Sequence, residues 1–313
     1  MKVLITGGAG QITYSLIPLL LSGQVFGPDN FIDLHLLDIE LCKNKLEGIK
    51  MEIEDSNFTN LNSILTTTDV KKAFTNIDVA VLLGGFPRKH RMERKDLLTK
   101  NFSIFKEHGI ALNEYSSKHT KVLVVANPAN TNCLIAKHFA SNIPYENFTS
   151  LSYLDQERLG FLLQSKYSVP KNDIKDLIIW GNHSNTLVPD ISLCTISVKL
   201  TDNDISYVQE RGKEVIMKKE SSSAFSAAEA IKKHLSMWYF GSNNKIVSFG
   251  IFNKNNSYTF PKNLVISSPV KTSYPFIITP VNDLHITNKV NVLLNVSIKE
   301  LDDEFQIIKD LLI

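Results

Sequence analysis

The chain has 313 residues, 43 % of them hydrophobic and 21 % charged, with a formal net charge of +2. That length holds two domains or one large α/β unit, and the composition is that of a globular protein rather than a disordered one. The small net charge excludes the concentrated basic surface of a nucleic-acid binder, and no apolar run approaches the roughly 20 residues of a membrane helix.

Cys42, Cys133 and Cys194 are far apart and lack CxxC spacing, which argues against a disulfide framework or a structural zinc site. No metal is expected. The opening MKVLITGG reads as a strand and a turn, leaving no room for a signal sequence. A cytoplasmic location is the expectation.

Lys2–Thr6 reads as a buried strand and Tyr14–Leu21 as the helix after it. Leu34–Leu37 is a second strand, and Leu46–Ile53 has apolar positions at helical spacing. Val79–Leu83 and Lys121–Ala126 are further strands, with a long helix over Asp96–Tyr115 between them. Runs apolar throughout, alternating with helices, predict a parallel sheet covered on both faces, a doubly wound α/β domain. Beyond it, Asp155–Tyr167 reads as a helix and Leu177–Trp180 as a short strand. Ser206–Ser236 could hold one long helix, Val247–Phe252 and Leu264–Val270 look antiparallel, and Ile298–Leu312 is an amphipathic terminal helix. The expected division is a nucleotide-binding domain over 1–148 and an α+β domain over 149–313.

The first strand runs into Gly7-Gly8-Ala9-Gly10-Gln11-Ile12-Thr13 at a helix start. Glycines there let the backbone turn tightly and approach a pyrophosphate, whose charge the helix N–H groups hold. Thr13 departs from the strict glycine pattern. The second strand ends at Asp38, where such folds hydrogen-bond the adenosine ribose, although a helix N-cap is the plainer use of an aspartate. A loop-like insert, Ser22–Pro28, explains the long spacing between the two features.

After Val79–Leu83 comes a basic loop, Gly84-Gly85-Phe86-Pro87-Arg88-Lys89-His90-Arg91-Met92-Glu93-Arg94. It lies at a strand's carboxyl end, where guanidinium forks suit carboxylates and a solvated loop is the bland alternative. Asn127 and Asn130 follow the next strand, Asn127 able to reach a ribose or a substrate oxygen and Asn130 able to cap a helix. Asp155-Gln156-Glu157-Arg158 and Trp180-Gly181-Asn182-His183-Ser184 complete the set. A histidine at a strand end suits proton exchange near neutral pH, and an acidic partner would orient it.

TGGAGQI, FPRKHRMERKDLL, NPANTNC, LDQERL and IIWGNHS stand here in the order of one family. With SSAFSAAEAI, WYFG and VSFGIF after them, the chain resembles the cytosolic-type malate dehydrogenase branch of the lactate/malate dehydrogenase family over most of its length. The resemblance implies a Rossmann domain followed by a substrate-binding and catalytic domain. It also implies NAD as cofactor, malate and oxaloacetate as the substrate pair, and a homodimer. By similarity Gly7, Gly10, Gln11, Ile12, Asp38, Asn101, Val125 and Asn127 would hold NAD, and an acid at Asp38 disfavours the 2′-phosphate of NADP. Arg88 would select the distal carboxylate, Arg94 polarise the carbonyl and Arg158 clamp the adjacent carboxylate, with Asn127 and Ser223 beside them. His183 would exchange the proton and Asp155 orient it.

Three features depart from the family: Arg91 replaces a lid glycine, His108 replaces a glutamine near the cofactor, and the segment from His183 to Arg211 is short. They leave open a related 2-oxoacid reductase of altered specificity, or an NAD-binding homologue with weakened turnover.

Overall fold

The computed structural model describes residues 1–86, 94–254, 258 and 260–312, with the backbone alone at 94 and 95. In chain order the first half runs β1 (Lys2–Thr6), α1 (Gln11–Leu21), β2 (Ile32–Leu37), α2 (Lys43–Asp55), β3 (Leu61–Thr67), α3 (Val70–Phe74), β4 (Val79–Leu82), α4 (Arg94–Tyr115), β5 (Lys121–Val124) and α5 (Ala129–Phe139). The second half runs β6 (Phe148–Ser150), α6 (Tyr153–Tyr167), β7 (Ile178–Trp180), β8 (Val188–Asp190), α7 (Asp202–Lys219), α8 (Phe225–Phe240), β9 (Val247–Phe252), β10 (Val265–Ser273), β11 (Ile277–Pro280) and α9 (Asn288–Ile308).

The strands β1, β4, β5 and most of β2 are buried along their lengths, as apolar runs covered by helices on both faces must be. They form a sheet in the order β3-β2-β1-β4-β5-β6, all parallel. The order reverses between β1 and β4, and a ligand crevice is expected outside their carboxyl ends. The sheet does not stop at the first half. β6 lies parallel to β5 and bridges antiparallel to β9 at Ser150 and Gly250, and β10 and β11 extend the same sheet. The boundary expected at residue 148 therefore falls inside a strand shared by both halves.

The expected long helix over Ser206–Ser236 is two helices. Glu220 closes α7 with φ +58, a left-handed residue that no helix continues through. β7 and β8 pair as a small separate hairpin, and α9 packs beside it against α4 and α5. Among the described residues, no helix is long and apolar enough to cross a membrane.

Candidate functional site

Past β1 the chain turns at Gly7 with φ +69, and a Cβ built there would lie 2.9 Å from the backbone nitrogen of Gly84. Only glycine lets the loops after β1 and β4 approach so closely, at the point where the sheet order reverses. Gly10 caps α1 and stays exposed. The first-turn N–H groups of Gln11 and Ile12 have no carbonyl partner within a helix and favour an anion. Thr13, the departure from strict glycine spacing, is buried and donates its hydroxyl to Gly7 O at 2.7 Å. The threonine thus ties the turn to the helix.

Asp38 is not a helix cap. Its carboxylate accepts the Ala9 N–H at 2.9 Å and the Ile39 N–H at 2.8 Å, beside the glycine turn, while Ile39 stands at the cap of the following 3-10 turn. A cradle that a Cβ would fill, a helix N-terminus and an acidic strand end fit the pyrophosphate and ribose of a dinucleotide.

Along the far rim, Val125 is buried and donates its N–H to Leu82 O at 3.0 Å, while Asn127 is exposed. Asn101 is turned inward and wholly buried. Its Oδ1 accepts the Phe86 N–H at 2.8 Å and its Nδ2 donates to Asn127 O at 3.1 Å. It joins the loops after β4 and β5 with both ends of its amide. Arg88 and Arg91 lie outside the described residues, and Arg94 opens α4 with its side chain outside them.

Asp155 and His183 are brought together from α6 and the β7–β8 turn. Asp155 is fully buried on the first turn of α6; one oxygen accepts His183 Nδ1 at 2.5 Å and the other accepts Arg158 Nη1 at 3.0 Å. The i, i+3 spacing puts Asp155 and Arg158 on one helix face. Burial alone would push the Asp155 carboxyl up, but Coulombic attraction and hydrogen bonds from His183 and Arg158 outweigh it and hold the group below the usual carboxylate range. The Arg158 side chain is 14 % exposed, so its remaining N–H groups can meet a ligand.

Asn130 is not the cap of α5; Pro128 takes that place. From inside the first turn Asn130 accepts the His183 N–H at 3.1 Å and donates to Val265 O at 2.9 Å. Sequence reading missed this contact, which spans 53 residues. Ser223 sits half-buried in the break between α7 and α8. His108, expected near the cofactor, packs in the core between Phe74 and Phe105 at 5.6 Å from each ring.

Comparison with known proteins agrees with this geometry. Residues 1–149 match the family model for the lactate/malate dehydrogenase NAD binding domain, and residues 152–311 match that for its alpha/beta C-terminal domain. "Malate dehydrogenase, cytoplasmic" of Echinococcus granulosus is 43 % identical over 98 % of this chain and 97 % of its own. The malate dehydrogenase structure from Naegleria fowleri superposes with a TM-score of 0.95 at 35 % identity, covering 100 % of this chain and 98 % of that one. The Trichomonas vaginalis lactate dehydrogenase in complex with NADH and oxamate gives 0.93 at 35 % identity, over 99 % and 98 %. With both family domains matched in order along one sheet, the chain belongs to the lactate/malate dehydrogenase family.

Proposed function

We infer that the chain is an NAD-dependent malate dehydrogenase, interconverting malate and oxaloacetate in the cytoplasm. The observation that carries the chemistry is the buried Asp155 carboxylate divided between His183 and Arg158. Gly7, Gly10, Gln11 and Ile12 would hold the NAD pyrophosphate, Asp38 the adenosine ribose, and Val125 and Asn127 the nicotinamide half. NAD bound there would supply the acceptor and donor for the hydride exchanged at the substrate's C2.

The protein's own part is to move one proton and hold two carboxylates. His183 commits Nδ1 to Asp155, which leaves Nε2 to take the hydroxyl proton during oxidation and return it during reduction. The fixed negative charge of Asp155 stabilises the imidazolium formed in the first direction. Arg158 has guanidinium N–H groups left for the carboxylate next to the reacting carbon, in the planar geometry that suits a bidentate contact. For Arg88, Arg94 and Ser223 the support is the resemblance: distal carboxylate, carbonyl and pocket lining. Two carboxylates call for two arginines, and Arg88 is the one that favours malate over a monocarboxylate.

A second reading has its own support. The Trichomonas vaginalis lactate dehydrogenase is as similar in sequence as the Naegleria fowleri malate dehydrogenase, which keeps open a 2-oxoacid reductase of altered specificity. NADH oxidation with oxaloacetate, pyruvate and 2-oxoglutarate in parallel separates the two. Oxaloacetate should be turned over far faster than pyruvate, His183→Ala should abolish turnover, and Arg88→Gln should erase the dicarboxylate preference. Equal rates on pyruvate in the unaltered chain would sink the malate reading.

The homodimer implied by the resemblance has support in two exposed aromatic rings on α1 and α8, beside a cleft of about 770 Å³ that also takes in Gly10 and Gln11 of the glycine turn. Tyr14, Gly48 and Phe225 line it, and Phe225 is 87 % exposed. Apolar rings left in water on a concave face fit a second protein surface. Sedimentation of the chain at micromolar concentration should give a two-chain species; a monomer would refute it.

A further inference from the structure

The turn that carries His183 is held from behind by the C-terminal helix. The buried residues of α9 are Val290, Leu294, Ser297, Leu301, Glu304 and Ile308, a stripe at alternating steps of three and four. Two of its members are polar. Ser297 is wholly buried and Glu304 is 1 % exposed, and both face the turn between β7 and β8.

The contacts are specific. The Asn182 N–H donates to Ser297 Oγ at 2.8 Å, and Asn182 Nδ2 donates to Glu300 Oε2 and to Glu304 Oε1, each at 2.9 Å. Thr186 Oγ1 donates to Glu300 Oε2 at 2.6 Å and accepts from Ser297 Oγ at 3.0 Å, and Ser184 Oγ donates to Glu300. Thr131 Oγ1, from α5, donates to Glu304. Asn182, Ser184 and Thr186 therefore bond to α9, while His183 between them bonds to Asp155. Gly181 completes the fit with φ +87; a Cβ there would lie 2.2 Å from Ser297 Oγ.

We propose that Ser297, Glu300 and Glu304 are positioning residues for His183, which makes α9 part of the catalytic apparatus. This rests on reading His183 as the proton-transfer residue. Asp155 fixes the imidazole through Nδ1, but the ring pivots on its Cα, and that atom is placed by the backbone of residues 181–184. Proton transfer demands a donor–acceptor distance near 3 Å, and a displacement of about 1 Å costs on the order of a hundredfold in rate. Packing alone does not account for the stripe. A buried carboxylate is expensive to desolvate where leucine would serve, and what it brings is strong, directional acceptance of hydrogen bonds.

The test uses the full chain with NADH and oxaloacetate. Glu304→Ala should lower kcat by roughly ten- to a hundredfold while leaving NADH affinity, read by fluorescence titration, unchanged. The isotope effect with NADH deuterated at the transferred position should rise, because chemistry becomes slower than product release. Glu304→Gln, which keeps an acceptor for Asn182, should recover most of the loss. Should Glu304→Ala not fold, Ser297→Ala removes a single oxygen and carries the same test, with kcat reduced and NADH affinity kept. A folded variant with unaltered kcat overturns the proposal. So does a loss shared equally between kcat and NADH affinity, or one that Gln restores no better than Ala. Failure of the underlying reading looks different: the unaltered chain would lack turnover on all three oxoacids, or His183→Ala would keep it.

Discussion

Asp155 shows how much one side chain settles. Its two oxygens fix the orientation of His183 and of Arg158 at once, so a substitution acts on both the proton and the substrate carboxylate. Asp155→Asn keeps the shape but loses the charge that stabilises the imidazolium and can present the wrong hydrogen-bonding edge. kcat for oxaloacetate reduction is expected to fall by about 10²–10⁴-fold, while NADH affinity holds; near-normal kcat in a folded variant would refute the assigned role. Asp155 and Arg158 were legible because both stand within four residues on one helix turn, and His183 because it ends an apolar strand. Asn130 and Asn182 were not. Their partners lie 53 and more than 100 residues away in sequence, and local pattern says nothing about pairs so distant. Ser297 and Glu304 did leave a trace: polar residues standing in a stripe that amphipathicity should make apolar.

Among elements, strands were readable in proportion to their burial. β1, β4 and β5 have continuous apolar runs. β3 escaped notice because it is an edge strand, LNSILTT, with all of its residues partly or fully exposed, so nothing forces an apolar pattern on it. The split between α7 and α8 was hidden for another reason. Glutamate and serine do not announce a helix end as glycine or proline would, yet Glu220 takes up the left-handed conformation after Lys219. Holding a non-glycine residue there costs about 1 kcal/mol. Glu220→Gly should therefore raise the unfolding free energy by about 0.5–1 kcal/mol in urea titration, despite the extra freedom it gives the unfolded chain. A destabilised variant would mean that the Glu220 side chain matters more than its backbone. At the other end of α7, Thr201 and Asp204 form a reciprocal capping box, the kind of start signal that marks a helix boundary well.

On the scale of the molecule, the two halves share two core clusters, while a third around Leu159, Leu163 and Val208 belongs to the second half alone. One cluster joins Val3, Leu16 and Ile17 to Ile231, Trp238 and Val270, and the other joins Phe105, Leu112 and Cys133 to Leu294, Leu301 and Ile308. The alternation of strands and helices made the parallel half readable, but β6, three residues long at the expected domain boundary, gave no hint that one sheet runs through both. Shared cores predict a single unfolding transition, and each of the two shared cores carries a buried histidine that makes that transition acid-sensitive. His108 packs on Phe74 and Phe105, and His234 stacks on Phe249 at 3.5 Å. Among the described residues neither Nδ1 has a hydrogen-bond partner. Burial pushes His108 down from 6.5 to about 4 and His234 to about 3. Well above pH 6.5 both are neutral in the folded and unfolded chains, and pH has no leverage through them. As pH falls from 6.5 towards 4, the unfolded chain takes up protons that the folded chain refuses. Stability then falls, by about 1.4 kcal/mol per pH unit for each histidine. Urea titrations between pH 7 and pH 4.5 should show one transition whose free energy declines with that slope. His108→Leu, which also removes an unpartnered nitrogen from the core, should reduce the slope by one histidine's share, and His234→Gln should do the same. A slope unchanged in both variants would place the acid sensitivity elsewhere, and two separable transitions would show that the halves unfold on their own despite the sheet that joins them.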